Sequence, residues 1–93
     1  MNEQLFNDLV KLGFEPALNS LVKDFTPRYR VIVSYHEGME NNIVISNNYY
    51  DASDKNDWVK NFPVFAGTCN NINEFKNIIS IVNVEDVAKE SLK

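Results

Sequence analysis

The two residues of this chain that could supply nucleophilic catalysis are its only cysteine, Cys69, and its only histidine, His36. Cys69 follows Gly67 and Thr68 and precedes a predicted helix start, where the helix dipole lowers the pKa of a thiol. A cysteine nucleophile also needs a general base, and the sequence does not place His36 beside it. We therefore interpret Cys69 as a structural thiol and His36 as a turn residue, and assign no catalytic residue. A thiol-dependent enzyme using Cys69 is an alternative hypothesis.

Three aspartates recur at every third position of a polar stretch, namely Asp51, Asp54 and Asp57. A calcium loop needs alternating oxygen ligands, a central glycine and a terminal glutamate, whereas this stretch contains Lys55 and no glycine. The lone cysteine and lone histidine are too few ligands for a zinc site, and the chain has no glycine-rich phosphate loop. We interpret the aspartates as a solvated acidic loop and expect neither a metal nor a cofactor.

Four aromatic residues lie in or beside the same polar stretch: Tyr49, Tyr50, Trp58 and Phe62. Exposed tyrosine and tryptophan often anchor protein interfaces, because they supply a large apolar area at a low entropic cost. We predict these four as partner-binding residues. One alternative is that they fill the core of a small domain. Another is that Tyr49, Tyr50 and Trp58 stack single-stranded bases, although such sites need basic companions, and the nearby aspartates offset the lysines here.

The formal net charge of −4 argues against binding to duplex nucleic acid, which usually requires a basic stripe. Only Arg28 and Arg30 lie close together among the nine basic residues. No apolar run approaches the ~18 residues of a membrane span, and the polar N-terminus lacks the basic start and apolar core of a signal peptide. These features predict a cytoplasmic protein that does not contact membranes. The heavy use of asparagine, isoleucine and lysine indicates a low-GC bacterium or its phage as the source.

The elements that must position these residues begin with a helix. Asn2 can cap it, Gly13 can end it, and apolar residues recur between them at helical spacing. Residues 15–25 are ambiguous: Leu18, Leu21, Val22 and Phe25 fit a second helix, which we prefer, whereas the alternative is an edge strand that starts at Pro16.

Three strands follow in the predicted order. Residues 29–35 and 42–46 are dense in β-branched and aromatic residues and are predicted to pair as an antiparallel hairpin around a turn at 36–41. Residues 47–61 are polar and are predicted to form a long connection. A third strand is expected at 62–68.

The C-terminal part of the chain is predicted to be helical. Asn71 and Glu74 have the spacing of a capping box, and an apolar stripe follows at helical spacing up to Val82. Asn83 and Asp86 repeat the capping pattern, which predicts a break and a short final helix. Residues 1–93 are therefore expected to form one α+β domain with an N-terminal helix or two, a three-stranded antiparallel sheet, and a C-terminal helix or helix pair packed on the sheet.

The two central strands carry the most informative pattern. Residues 31–33 and 43–45 are apolar at every position, whereas strands of a one-sided antiparallel sheet normally alternate. Either helices cover both faces of the sheet, or one face meets another chain. We predict a small non-catalytic protein-binding module, an accessory or inhibitor protein, whose partner is another protein or a second copy in a homodimer.

Overall fold

A helix, five strands and two further helices follow one another along the chain in this computed structural model. The backbone is described for residues 1–50 and 58–93, and the side chains for residues 1–50 and 62–93. The elements are α1 (Glu3–Lys11), β1 (Glu15–Ala17), β2 (Ser20–Thr26), β3 (Tyr29–Ser34), β4 (Asn42–Tyr50), β5 (Trp58–Thr68), α2 (Ile72–Ile81) and α3 (Asp86–Ser91). The strands form one antiparallel sheet in the order β1-β2-β3-β4-β5. The α+β class is confirmed.

Helix α1 begins and ends where its sequence predicts. The Asn2 side chain accepts a hydrogen bond of 2.8 Å from the Leu5 amide, which satisfies one of the free donors of the first turn. Gly13 follows the helix with a φ of 100°, a conformation that favours glycine. A Cβ atom at Gly13 would also lie only 2.9 Å from the Lys23 ammonium nitrogen.

The prediction of a helix over residues 15–25 is wrong, and it is the reason that the sheet has five strands instead of three. These residues form β1 and β2, joined by a tight turn in which Asn19 has a φ of 57°. Leu21 is buried and lies opposite Val33 of β3, so that β2 belongs to the sheet. Pairing with β3 outweighs the helical spacing, and Pro16 lies on the edge strand, where its missing N–H is tolerated.

The hairpin of β3 and β4 is confirmed, but both β4 and β5 extend into the predicted long connection. Strand β4 continues to Tyr50, and β5 begins at Trp58, four positions before the predicted start at Phe62. Asparagines at 47 and 48 are poor strand formers, yet Asn47 is buried and hydrogen-bonded within the fold. Asp51, Asp54 and Asp57 fall outside the described residues.

The two C-terminal helices are confirmed, with one correction to their caps. Asn71 caps α2 and accepts from the Glu74 amide at 2.9 Å, while the Glu74 carboxylate accepts from the Asn70 amide at 2.7 Å. The residue that caps α3 is Glu85 and not Asn83, and it makes no side-chain capping bond. The Asn83 carbonyl accepts instead from the side chain of Asn47 at 2.8 Å.

One hydrophobic core joins the three helices to a single face of the sheet. Its members are Leu5 and Leu9 from α1, Phe75 and Ile79 from α2, Ala88 from α3, and inward-facing strand residues that include Leu21, Val31, Val33, Ile43 and Ile45. The residues between them, at 32 and 44, point to the opposite face, because side chains alternate along a strand. No helix in the described part of the chain is long and apolar enough to span a membrane.

Candidate functional site

The four aromatic residues predicted to bind a partner do not form one cluster. Tyr49 and Tyr50 are adjacent in β4 and therefore point to opposite faces of the sheet. Tyr49 contacts Phe62 on the helix side, with ring centroids 6.0 Å apart. The backbone of Trp58 pairs with that of Tyr50, and the Trp58 side chain lies outside the described residues.

A row of aromatic rings leads from the core to the surface on the helix side. Phe25 packs against Tyr29 at 6.2 Å between centroids, Tyr29 against Tyr49 at 5.3 Å, and Tyr49 against Phe62. Tyr29 is buried, whereas Phe62 is 47% exposed. Tyr49 therefore has two roles: it extends the core at one ring face and reaches a surface ring at the other.

A buried polar cluster fastens the linker between α2 and α3 to the sheet. The Tyr29 hydroxyl donates to the side-chain oxygen of Asn47 at 2.7 Å and accepts from the Glu85 amide at 3.1 Å. The Asn47 amide group donates to the Asn83 carbonyl. Burial raises the pKa of Tyr29 to about 12, so its hydroxyl stays protonated as a donor at neutral pH. Sequence reasoning missed Asn47, because it stands within a run of polar residues.

A cleft opens between this linker and the end of strands β4 and β5. We call it the aromatic cleft. It has a volume of about 390 Å³ and is lined by Asn47, Tyr49, Phe62, Pro63, Val64, Asn83, Val84 and Glu85. Burial raises the pKa of the Tyr49 hydroxyl, and the nearby Glu85 carboxylate adds to the shift. The exposed carboxylate of Glu85 thus lies close to the side chain of Tyr49.

The opposite side of the sheet presents a second surface, which we call the outer sheet face. Its apolar residues are Val22, Ile32, Val44 and Ala66. Val22 lies opposite Ile32 and Val44 opposite Ala66, while Ser46 lies opposite Ile32 and Ser34 opposite Val44. Of the apolar residues, the first three are partly exposed and Ala66 is exposed. No helix among the described residues packs on this face, because all three contribute to the core on the other side.

A shallow hollow extends the outer sheet face toward the turn between β3 and β4. It has a volume of about 270 Å³, and its lining includes Met39, Val44, Ala66 and Gly67. The Met39 side chain is 50% exposed at its rim. A flexible methionine beside a glycine offers an adaptable apolar contact, so this hollow adds to the apolar area of the outer sheet face.

Cys69 lies in a buried setting that disfavours its thiolate form. The side chain is fully buried, and its thiol donates to the Asn71 carbonyl at 3.5 Å. The pKa of the thiol is raised to about 11, and burial is the largest cause. The hydrogen bond with the Asn71 backbone lowers the pKa, and the charge of Glu74 raises it. The expected lowering by the helix start is outweighed by desolvation. His36 is exposed on its turn, and no hydrogen bond joins the two side chains.

The described part of the chain contains no group of three or more histidine, cysteine, aspartate or glutamate side chains that could hold a metal ion.

Comparison with protein-family models, with curated proteins and with solved structures gives no match for this chain. The two surfaces described above are therefore the basis for any functional conclusion.

Proposed function

We propose that this chain is a small non-catalytic protein-binding module, an accessory or inhibitor protein, that binds its partner through the outer sheet face. One observation carries the proposal: the three helices lie on one side of the sheet, while the partly exposed Val22, Ile32 and Val44 lie on the other together with Ser34 and Ser46. Contiguous apolar patches on a protein surface mark interaction sites. A partner would supply the second layer that this face lacks among the described elements.

The composition of the outer sheet face supports a protein partner. Interfaces typically have an apolar centre with few charges and a polar rim. Here the rim includes the Thr68 hydroxyl bonded to the Asn42 side chain at 3.3 Å, and the ion pair of Arg30 with Asp24 at 2.8 Å. Nucleic acid would need unneutralised cations on this face, and its arginine already pairs with a carboxylate.

The partner that best fits this face is a second copy of the chain. The protein is acidic, with a net charge of −4, so two copies repel each other through most surfaces. Among the described residues the outer sheet face is close to neutral, because Asp24 pairs with Arg30 and the one other acidic side chain on its strands is Glu15 of the edge strand β1. Two such faces can meet without strong repulsion, in the self-complementary arrangement of a twofold dimer.

The size of the face predicts a weak dimer. Five strands spaced ~4.8 Å apart, with about six residues each rising ~3.3 Å, cover roughly 24 by 20 Å. Two faces would bury roughly 1,000 Å² in total, which is at the low end for specific interfaces. We therefore expect a dimer that dissociates on dilution in the micromolar range.

Sedimentation velocity over a concentration series tests the proposal. The wild-type chain should shift from monomer to dimer as its concentration rises. The variant Val44→Lys, which places a charge near the middle of the outer sheet face, should stay monomeric at all concentrations because the ammonium would be desolvated in the interface.

The matched control is Val87→Lys, which introduces the same charge at an exposed position of α3 on the helix side. It should dimerise like the wild type. A wild-type chain that remains monomeric contradicts the second copy as partner. Dimerisation that survives Val44→Lys and is lost in Val87→Lys would overturn the role of the outer sheet face itself.

The two alternative functions gain no support from the geometry. A thiol-dependent enzyme needs an accessible thiolate, whereas Cys69 is buried and its pKa is raised to about 11. Base stacking through Tyr49, Tyr50 and Trp58 needs a shared surface, and Tyr49 and Tyr50 point to opposite faces of the sheet.

A further inference from the structure

The two edges of the sheet differ in how well their backbone is protected. Strand β1 is one edge, and its three residues include Glu15 and Pro16, so it is short, charged and poor in donors for a further strand. Strand β5 is the other edge, and among the described elements it pairs with β4 alone. We propose that residues 64–68 of β5 bind an extended basic segment of another polypeptide, which adds an antiparallel strand to the sheet and presents an aliphatic side chain to the helix side.

The protective features of β5 are confined to its first part. Pro63 lacks an N–H, and the register of pairing with β4 shifts between Pro63 and Phe65, as at a β-bulge. Residues 64–68 contain neither a charge nor a proline, and Ala66 and Thr68 are exposed. This part of the edge therefore lacks the features by which proteins normally prevent pairing with another chain.

One hydrogen bond shows which backbone groups face the open edge. The Cys69 amide, directly after β5, donates to the carbonyl of Asn41, directly before β4, at 2.6 Å. The backbone groups of successive residues point to opposite sides of a strand, so Gly67 faces β4 as Cys69 does. The N–H and C=O groups of Ala66 and Thr68 consequently point away from β4, toward the edge where a further strand can bond to them.

A shallow hollow lies beside this edge on the helix side, between β5 and α2. It has a volume of about 410 Å³ and is lined by Phe65, Thr68, Asn70, Glu74, Asn77 and Ile78. Phe65 and Ile78 are partly exposed, and the Phe65 ring lies close to Gly67, because a Cβ atom at Gly67 would be 3.2 Å from it.

The hollow fits the side chain that an added strand would place there. In an antiparallel pair, the residues opposite Ala66 and Thr68 exchange hydrogen bonds with them and point to the outer side of the sheet. The residue between them lies opposite Gly67 and points to the helix side. An aliphatic side chain at that position would contact Phe65 and Ile78, whereas its neighbours on the outer side can be polar.

The charge around the hollow favours a basic segment. Glu74 is the one charged side chain among the described residues that line it. Its carboxylate accepts from the Asn70 amide at 2.7 Å, which holds it at the start of α2. The chain as a whole has a net charge of −4, so a segment with lysines is attracted and an acidic segment is repelled.

Titration of the wild type with a strand-forming peptide, followed by amide NMR shifts, tests the proposal. The peptide is acetyl-Lys-Val-Thr-Val-Thr-Val-Lys-amide, whose valines and threonines point to opposite faces. It should produce saturable shifts at Ala66, Thr68 and Ile78. With the valines toward the helices, the threonine amides face β5. N-methylation of both threonines should therefore weaken binding at least about tenfold, whereas N-methylation of the second and third valines should be tolerated.

Two substitutions at one position provide the matched comparison on the protein. Ala66→Pro removes an N–H that points away from β4 and should weaken binding at least about tenfold. Ala66→Ser retains this N–H and should bind the peptide like the wild type. Circular dichroism checks that both variants fold, and the N-methylated peptides decide the question on the wild type if Ala66→Pro does not.

A third peptide tests the charge, with glutamates in place of both lysines, and it should bind at least about threefold more weakly. The proposal is overturned by the absence of saturable shifts, by equal binding of the two N-methylated peptides, or by equal or tighter binding of the glutamate peptide. Dimerisation through the outer sheet face is a separate result, because strand addition uses the backbone at the edge of the sheet.

Discussion

At the scale of single residues, burial decides the protonation state of two titratable side chains in the core. Cys69 and Tyr29 are both almost fully buried, and desolvation is the main cause that raises the pKa of each. Both side chains stay protonated at neutral pH and serve as hydrogen-bond donors. Each donates a hydrogen bond to a neighbouring segment, Cys69 to the Asn71 carbonyl and Tyr29 to the Asn47 side chain. Each therefore predicts a measurable effect on the free energy of unfolding.

The pH dependence of stability should reveal the buried thiol. The pKa of Cys69 rises from 9.0 to about 11 in the folded protein. Below pH 9 both states keep the proton, whereas between pH 9 and 11 the unfolded chain loses it first. The free energy of unfolding should therefore fall over this range by about 2–3 kcal/mol. Urea unfolding of the wild type and of Cys69→Ala at pH 8 and 11 measures the effect, since the variant lacks this contribution; equal losses in both would refute it.

Removing the Tyr29 hydroxyl should destabilise the protein. In Tyr29→Phe, the buried Asn47 oxygen loses its donor and the Glu85 amide loses its acceptor. Unsatisfied buried groups cost about 1–3 kcal/mol, and we expect a loss of that size in urea unfolding monitored by circular dichroism. Tyr35→Phe is the control, because Tyr35 contacts Phe6 through its ring and should lose much less. Equal effects of the two variants would contradict the role of the hydroxyl.

At the scale of elements, the turn between β1 and β2 explains why a helix is not formed. Asn19 adopts a φ of 57°, which asparagine tolerates better than most residues and which ends any helical path. Strand β2 then pairs along its length with β3 and buries Leu21. The linker between α2 and α3 is held in the same way by contacts distant in sequence, through Tyr29 and Asn47.

Substitutions at this turn should follow the backbone geometry. Asn19→Gly should retain or increase the free energy of unfolding, because glycine adopts a positive φ without steric cost. Asn19→Val should lower it by about 1–2 kcal/mol, since a β-branched side chain is strained there. Thermal or urea unfolding of the two variants provides the test. If valine were tolerated as well as glycine, the left-handed turn and the β1–β2 hairpin would be in doubt.

At the scale of the whole molecule, the helices divide the protein into two unlike sides. The helix side contains the core, the buried polar cluster and the aromatic cleft with Glu85. The other side is the outer sheet face, whose described residues are nearly neutral. Because the two surfaces lie on opposite sides of the sheet, a dimer formed through the outer sheet face would leave both aromatic clefts accessible.

The amino-acid sequence alone determined the features that depend on neighbouring residues. These are the α+β class, the capped helices α1 and α2, and the hairpin of β3 and β4, because caps, turns and β-branched runs act over a few positions. It also predicted Tyr49, Tyr50, Trp58 and Phe62 as partner-binding residues, and this stays a prediction.

Only the tertiary structure decided the features that depend on pairing across the fold. Residues 15–25 form strands because β3 provides hydrogen-bonding partners, and the Cys69 side chain is inaccessible because the core surrounds it. The predicted aromatic set separates into two sides, since alternation along β4 turns Tyr49 and Tyr50 apart. Glu85 and Asn47 gain their positions from contacts 36 to 56 residues away in sequence. Short sequence patterns do not predict such contacts, because the contacts form only when the sheet and the helices pack together.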